Sequence, residues 1–131
     1  MASTPESLVK KKIHKILAKH EAYAVNYIGG MHANNGTPDI LACVRGMFVG
    51  IEAKAGKNRP TALQISNLRR IHEAGGCALV INEESLVHLD GLLAAVRIGG
   101  QQISNYEYYE RQLQAEGDDA PRKRTTQEKR I

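Results

Sequence analysis

The first twenty residues carry a helical pattern of apolar positions. Thr4 is a good N-cap, and Pro5 suits the first helical position. The apolar side chains that follow recur at near-helical spacing, at Leu8, Val9, Ile13, Ile16 and Leu17. The pattern predicts a helix over residues 5–20.

Three strand patterns and a loop follow this helix. Residues 22–28 are rich in Tyr and Val and are closed by a Gly-Gly pair, which predicts a strand. Residues 31–38 are small, polar and rich in turn formers, so they predict a loop. Beyond them, residues 39–44 and 47–53 are apolar runs separated by only two residues, a pattern typical of a β-hairpin.

A second helix and a fourth strand complete the regular pattern. Thr61 and Gln64 have the spacing of a capping box, and the helical pattern continues to residue 74, where a Gly-Gly pair ends it. Residues 77–81 are continuously apolar, which predicts a strand buried on both faces. The order α-β-β-β-α-β predicts the fold class α/β.

The pattern after residue 82 is less regular. Leucines at positions 86, 89, 92 and 93 fit a helix, whereas residues 86–89 also fit a short strand. We favour a helix over 90–97, and a last helix that carries Tyr106, Tyr109 and Leu113. The polar, basic stretch 117–131 predicts a disordered tail, so residues 1–116 are expected to form a single domain.

Composition is typical of a soluble globular domain. Of the 131 residues, 42% are hydrophobic and 24% are charged. The apolar runs are shorter than the ~20 residues of a membrane span, and the first residues lead into lysines rather than a signal-peptide core, so a cytoplasmic protein is expected. Cys43 and Cys77 lack the spacing of a zinc site, which predicts two buried free thiols.

Charge is distributed unevenly along the chain. Residues 1–70 carry 11 Lys or Arg against four Asp or Glu, residues 71–120 carry two against nine, and residues 121–131 carry five against one. This asymmetry predicts a surface for a polyanion in the first half, with the basic tail as an auxiliary contact. A single run such as Lys10-Lys11-Lys12 is by itself more often a solvated helix face.

Two carboxylates and an amine are expected at one end of the hairpin. Residues two apart on a strand face the same way, so Glu52 and Lys54 project together. Asp39 opens the neighbouring strand after a loop fixed by Gly36 and Pro38, so its carboxylate can approach that of Glu52. Two such carboxylates repel unless a cation lies between them. Mg²⁺ or Mn²⁺ suits these oxygen ligands.

The chemistry that this group of residues indicates is phosphodiester hydrolysis. The metal would activate water and stabilise charge on the phosphate, and Lys54 would steady the attacking water or the developing negative charge. Each fragment alone is weak evidence, because a Glu-x-Lys pair is usually a solvated ion pair and Pro-Asp is a common turn dipeptide. The joint pattern is the stronger evidence.

This joint pattern resembles the PD-(D/E)xK nuclease superfamily and, within it, the virus-type replication-repair nuclease (VRR-NUC) family. The matching segments are Gly36-Thr37-Pro38-Asp39, Gly50-Ile51-Glu52-Ala53-Lys54, and Thr61-x-x-Gln64 before Gly75-Gly76. The resemblance spans about residues 4–81 and continues less clearly to residue 97. It implies a restriction-endonuclease-like core, with a central mixed sheet flanked by helices, and a phage or bacterial replication and repair setting.

The resemblance also implies metal ligands beyond the two carboxylates. The main-chain carbonyl of Ala53 would join Asp39 and Glu52. Family members commonly carry a glutamate on the first helix that reaches the metal, and Glu6 maps to that role, with Glu21 as the fallback. A favourable helix-dipole charge in the first turn explains Glu6 equally well.

Several polar residues have both a functional and a local explanation. The family places a glutamine near the active site, whereas Gln64 is also explained by its capping box. Lys57 and Arg59, next to Lys54, are expected to bind backbone phosphates. Three residues of the loop before Asp39 are candidate phosphate or base contacts, or ordinary turn formers: His32, Asn34 and Asn35.

The expected function is that of a Mg²⁺- or Mn²⁺-dependent DNA endonuclease acting on branched DNA such as four-way junctions. Because the chain is little more than the catalytic core, selectivity is expected from a two-fold homodimer, an arrangement that standalone VRR-NUC members resemble. The segments 86–96 and 106–113 are the candidate dimer face, or parts of the monomer core. The alternative is a non-catalytic nucleic-acid-binding module. A Walker-type phosphate loop is missing from the sequence, and neither a membrane nor a small-molecule cofactor is expected.

Overall fold

The computed structural model describes residues 4–29 and 35–119, which form an α/β fold with a four-stranded mixed sheet. The elements in chain order are α1 (Pro5–Lys19), β1 (Tyr23–Asn26), β2 (Ile40–Val44), β3 (Met47–Ala53), α2 (Ala62–Glu73), β4 (Cys77–Ile81), α3 (Leu86–Ala94) and α4 (Tyr106–Asp119). The predicted order α-β-β-β-α-β is confirmed. Within these residues, every helix falls short of the length or apolar character that crossing a bilayer demands.

Helices α1 and α2 both begin at a threonine cap. Thr4 Oγ1 accepts the Ser7 N–H at 3.1 Å, and Ser7 Oγ accepts the Thr4 N–H at 3.0 Å, which is a capping box. Thr61 and Gln64 make the same exchange, at 3.2 and 2.9 Å. The caps fix where the two helices start, and therefore which of their side chains meet the sheet.

The sheet order β1-β2-β3-β4 places the hairpin in the middle. β1 pairs antiparallel with β2 and β2 with β3, whereas β3 and β4 are parallel and are connected through α2. The hairpin turn has positive φ at Arg45 (47°) and Gly46 (86°), as a type I′ turn requires. The Arg45 guanidinium donates hydrogen bonds to the carbonyls of Leu93 and Val96, which ties this strained turn to the end of α3.

The two faces of the sheet are covered to different extents. On the first face, side chains such as Ile40 and Leu79 are fully buried in the core that the sheet forms with α1 and α3. On the second face, α2 and α4 cover β4 and part of β3, around Leu68. The remainder of the second face is open, since Tyr23 on β1 is 74% exposed and Phe48 on β3 is 47% exposed.

Three predicted boundaries need correction. α3 spans Leu86–Ala94 rather than 90–97, because Asn82 and Ser85 exchange two hydrogen bonds of 2.9 Å in a turn directly before it. The strand predicted over 22–28 is limited to Tyr23–Asn26. α4 extends three residues past Glu116, where the tail was expected to begin.

The cysteines and the candidate dimer face were only partly predicted. Cys77 is buried as expected, whereas Cys43 is exposed because it alternates with the core residues of β2 and lies on the open second face. Leu89 and Tyr106 of segments 86–96 and 106–113 are buried within the monomer, whereas Val87, Tyr108 and Leu113 are exposed, so these segments contribute to the core only in part. Residues 120–131, including the basic tail, lie outside the described residues.

Candidate metal centre

Asp39 is held at the start of β2 by its own loop and by β3. Pairing of Ile40 with Ile51 brings the preceding Asp39 alongside the following Glu52 on the neighbouring strand. Asp39 Oδ2 accepts the N–H of Ala53 at 2.9 Å, which fixes the carboxylate at the end of β3. The loop is anchored on α2, where the side-chain amide of Asn67 donates to the carbonyl of Asn35 at 3.3 Å.

Glu52 lies on β3 with its carboxylate almost completely buried. The residue is 1% exposed, and Oε2 lies 3.5 Å from Lys54 Nζ. Oε1 is buried and, among the protein groups of the described residues, has no hydrogen-bond donor. A buried carboxylate oxygen without a donor is costly, and a proton or a bound cation would remove this cost.

The charges around Glu52 act in opposite directions on its pKa. Burial is the largest effect and the Asp39 carboxylate adds to it, while Lys54 opposes both, with the result that the pKa of Glu52 rises from 4.5 to about 8. Near neutral pH the carboxyl group therefore holds a proton when no cation is bound. A divalent ion would displace this proton and restore the carboxylate.

The donor set fits a hard divalent ion that keeps part of its water shell. Asp39 and Glu52 supply carboxylate oxygens, and Ala53, the last residue of β3, lies next to both in the register. Among the described residues, no group of three or more His, Cys, Asp or Glu side chains gathers around a common point. Two carboxylates without a full protein cage are what Mg²⁺ typically uses, whereas a structural zinc site needs more.

The residue of α1 that reaches this centre is Lys10. Its Nζ lies 4.0 Å from Asp39 Oδ1. Glu6, one turn earlier, is half-buried and, within the described residues, has no ion pair or hydrogen bond with Asp39 or Glu52. Glu21 lies eleven residues beyond Lys10, past the other end of the helix and on the order of 16 Å away along its axis. The sequence pattern did not identify Lys10 as a site residue, although its i+4 spacing from Glu6 places both on one face of α1.

Gln64 has the local role that its spacing indicates. Its Oε1 accepts the N–H of Thr61 at 2.9 Å as half of the α2 capping box. This bond holds the side chain at the N-terminus of α2. Its expected position near the metal centre stays a prediction.

The candidate nucleic-acid contacts differ in their surroundings. Lys57 is exposed in the loop after β3. Arg59 forms an ion pair with Glu116 of α4, so it would have to leave this partner to bind a phosphate. Asn35 is exposed, with its carbonyl bonded to Asn67, whereas His32 and Asn34 lie outside the described residues.

Comparison with known proteins adds no assignment. No protein-family model matches the chain, and no curated protein matches it. The fold and the site therefore define its class only as a small α/β protein in which a buried glutamate and a half-buried aspartate lie beside a lysine.

Proposed function

We propose that this protein is a Mg²⁺- or Mn²⁺-dependent DNA nuclease with a PD-(D/E)xK core that resembles the VRR-NUC family. The observation that carries the proposal is the buried, unpartnered Oε1 of Glu52 beside Asp39 and Lys54. An acid pair that awaits a cation explains both the burial and the missing donor.

Each residue of the candidate centre would have its own role in phosphodiester hydrolysis. Asp39, Glu52 and the Ala53 carbonyl would hold the metal, and the Ala53 N–H keeps the Asp39 carboxylate oriented. When bound, the metal supplies Lewis-acid stabilisation of the phosphate and a more acidic water. Lys54, with only 13% of its side chain exposed, would hold the attacking water or stabilise the negative charge on the phosphate.

Cations around the centre favour a polyanionic substrate. Lys10 from α1 and Lys54, directly after β3, border the carboxylate pair, and Lys57 follows in the same loop. Most basic residues of the chain lie in the first 70 positions, which also contain the whole candidate centre. This distribution supports DNA as the substrate class. The preference for four-way junctions and the homodimer remain parts of the proposal that rest on the family resemblance.

The test is a panel of end-labelled DNA structures: linear duplex, nicked duplex, flap and four-way junction. We expect cutting with Mg²⁺ or Mn²⁺, none with EDTA, and Ca²⁺ to support binding better than cutting. Paired symmetric nicks in the junction would support the homodimer, whereas a preference for flaps would refute the junction substrate. Metal-independent DNA binding without any cutting would instead favour a non-catalytic binding module.

A further inference from the structure

The second face of the sheet carries Glu52 at one end of β3 and an open, largely apolar surface at the other end. Along β3 the side chains of Phe48 and Glu52 point to this face, with Gly50 between them. At Phe48 the register runs across the sheet to Cys43 on β2 and then to Tyr23 on β1. We call Phe48, Cys43 and Tyr23 the open row. All three are exposed, with Tyr23 at 74% and Phe48 at 47%.

A recess of about 650 Å³ adjoins the open row where α2 ends. Phe48 and Gly76 form the sheet side, and the α2 side carries Asn67, Arg70, Ile71, Glu73 and Ala74. The volume is that of a small-molecule site. The recess thus combines an aromatic ring with a cation at its edge.

Arg70 is available to bind a ligand. Its neighbour Arg69 is bound to Glu110 of α4, whereas within the described part of the chain Arg70 is exposed and has no ion pair. Glu73 also lines the recess, so the formal charges of Arg70 and Glu73 cancel. The recess would therefore attract a phosphate without a base only weakly. A ligand that places a ring on Phe48 and one phosphate beside Arg70 uses both features.

We propose that this recess holds an unpaired nucleotide of the DNA strand, with its base stacked on Phe48 and its phosphate beside Arg70. The proposal rests on the proposed function and names single-stranded or splayed DNA as the form of substrate that the protein grips. Base stacking on an aromatic side chain tolerates any sequence, because every base has a π-face. Tyr23 lies two strands away, on the order of 10 Å from Phe48, and offers a second ring.

The distance to the metal centre suits one strand that occupies both places. Phe48 and Glu52 are four residues apart on β3, roughly 13 Å at the ~3.3 Å rise of a strand. At the ~3.4 Å rise of a stacked strand this is about four nucleotides, and fewer if the strand is extended. Pro38 and Ile71 lie over Gly50 between the two positions, so the strand would pass over this apolar ridge.

The unmodified protein carries its own probe of this contact. Cys43 is exposed in the open row next to Phe48, whereas Cys77 is buried. We expect oligothymidine, with no divalent metal present, to slow the reaction of Cys43 with the neutral reagent N-ethylmaleimide several-fold. A blunt duplex of the same length should protect much less. Equal protection by duplex, or none by either DNA, would overturn the proposal.

A pair of single-tryptophan variants sharpens the test, because the chain has no Trp. Phe48→Trp keeps an aromatic ring in the recess, and Tyr108→Trp places the matched control on α4, where Tyr108 is 55% exposed. Oligothymidine should quench the emission of the first variant and leave the second unchanged. Phe48→Leu, which keeps an apolar side chain, should lower oligothymidine affinity about fivefold or more, while Arg111→Ala on α4 should not.

The outcomes separate this inference from the proposed function. Metal-dependent cutting by wild-type protein without quenching of Phe48→Trp would overturn the nucleotide site and leave the nuclease intact. Quenching without cutting by wild type would support the nucleotide site and contradict the nuclease. An emission shift of Phe48→Trp that depends on protein concentration in the absence of DNA would overturn the proposal in favour of a second copy on this face.

Discussion

Glu52 is the carboxyl group of the candidate centre whose ionisation is most unfavourable, because it is buried beside the Asp39 carboxylate. Its pKa of about 8 means that the folded protein keeps a proton which the unfolded chain releases near pH 4.5. Below the unfolded pKa the group is protonated in both states and costs no stability. The free energy of unfolding falls as the pH rises above the unfolded pKa, and this loss is complete once the pH has passed through the folded pKa. The opposite sign would apply to a carboxylate whose pKa is depressed by a salt bridge.

Glu52→Gln should remove this pH dependence. With EDTA present, we expect the free energy of unfolding of wild type to fall relative to the variant by a few kcal/mol between about pH 5 and 8. Mg²⁺ or Mn²⁺ should restore wild type, but not the variant, at the higher pH. Urea denaturation across the pH range measures this, with exposed Glu84→Gln as the control. If the free energy of unfolding had the same pH dependence in wild type and Glu52→Gln, the raised pKa of Glu52 would be contradicted.

Lys10 should compete with the metal and assist the DNA. Its ammonium lies 4.0 Å from Asp39, so Lys10→Ala should tighten binding of the divalent ion, on the order of fivefold, by removing a nearby positive charge. The same variant should weaken DNA binding, because it loses a cation at the site. Calorimetric titration of metal and fluorescence anisotropy with labelled DNA measure the two effects.

The matched control is Lys11→Ala, since Lys11 is exposed and has no ion pair within the described residues. It should leave metal affinity unchanged. Effects of the same sign on metal and DNA affinity in Lys10→Ala would show that Lys10 has only a structural role.

The hairpin of β2 and β3, together with α2, builds the site. A Cβ on Gly50 would lie 2.6 Å from Ile71 Cδ1 and 3.4 Å from Pro38 Cγ, so this glycine allows α2 and the loop before Asp39 to close on the sheet. Pro38 directly precedes Asp39. The position of the Asp39 carboxylate therefore depends on close contact between a helix and a strand.

Gly50→Ala should lower the free energy of unfolding by about 1 kcal/mol, because the terminal methyl of Ile71 must move, and it should weaken metal binding because Ile71 packs beside Pro38 over this position. Gly91→Ala is the control, since Gly91 lies in α3 with nothing within 4 Å of the added Cβ and should stabilise by about 0.5 to 1 kcal/mol. Chemical denaturation and metal titration measure both. An unchanged metal affinity in a destabilised Gly50→Ala protein would show that Gly50 affects stability but not the position of the metal-binding carboxylates.

Short sequence patterns were enough to predict the hairpin and α2, whereas the features that were not predicted depend on tertiary contacts. The hairpin, the capped α2 and the buried β4 follow from short sequence patterns, and they place Asp39, Glu52 and Lys54. Lys10 was missed because the face of α1 that meets the hairpin depends on packing across the sheet. The exposure of Cys43 was missed because alternation on β2 identifies a second face without revealing how far α2 covers it.

Two regions of the chain have an excess of basic residues, and this excess supports a polyanion as the partner. Residues 1–70 carry 11 basic residues against four acidic ones, and residues 121–131 carry five against one. The latter lie outside the described residues, and no candidate site residue falls among them. A basic tail of this kind adds affinity by counterion release rather than by chemistry.

Removal of residues 121–131 should weaken DNA binding and flatten its salt dependence. The slope of log affinity against log salt should decrease in magnitude by ~0.9 for each tail residue that contacts a phosphate. The cutting rate at saturating DNA should stay near that of the full chain. Anisotropy titrations over a salt series measure the slope, and an unchanged slope would show that the tail makes no phosphate contact.

The most direct measurement of the central claim compares the cutting rates of Asp39→Asn, Glu52→Gln and Lys54→Ala with wild type, on the best DNA structure of the panel and with Mn²⁺ present. Each variant should lose at least about 100-fold in rate while keeping its circular dichroism spectrum and most of its DNA affinity. Glu84→Gln, an exposed acid on the surface, should cut like wild type. A rate near wild type in any of the three variants would contradict the role given to that residue, and such rates in all three would refute the nuclease centre.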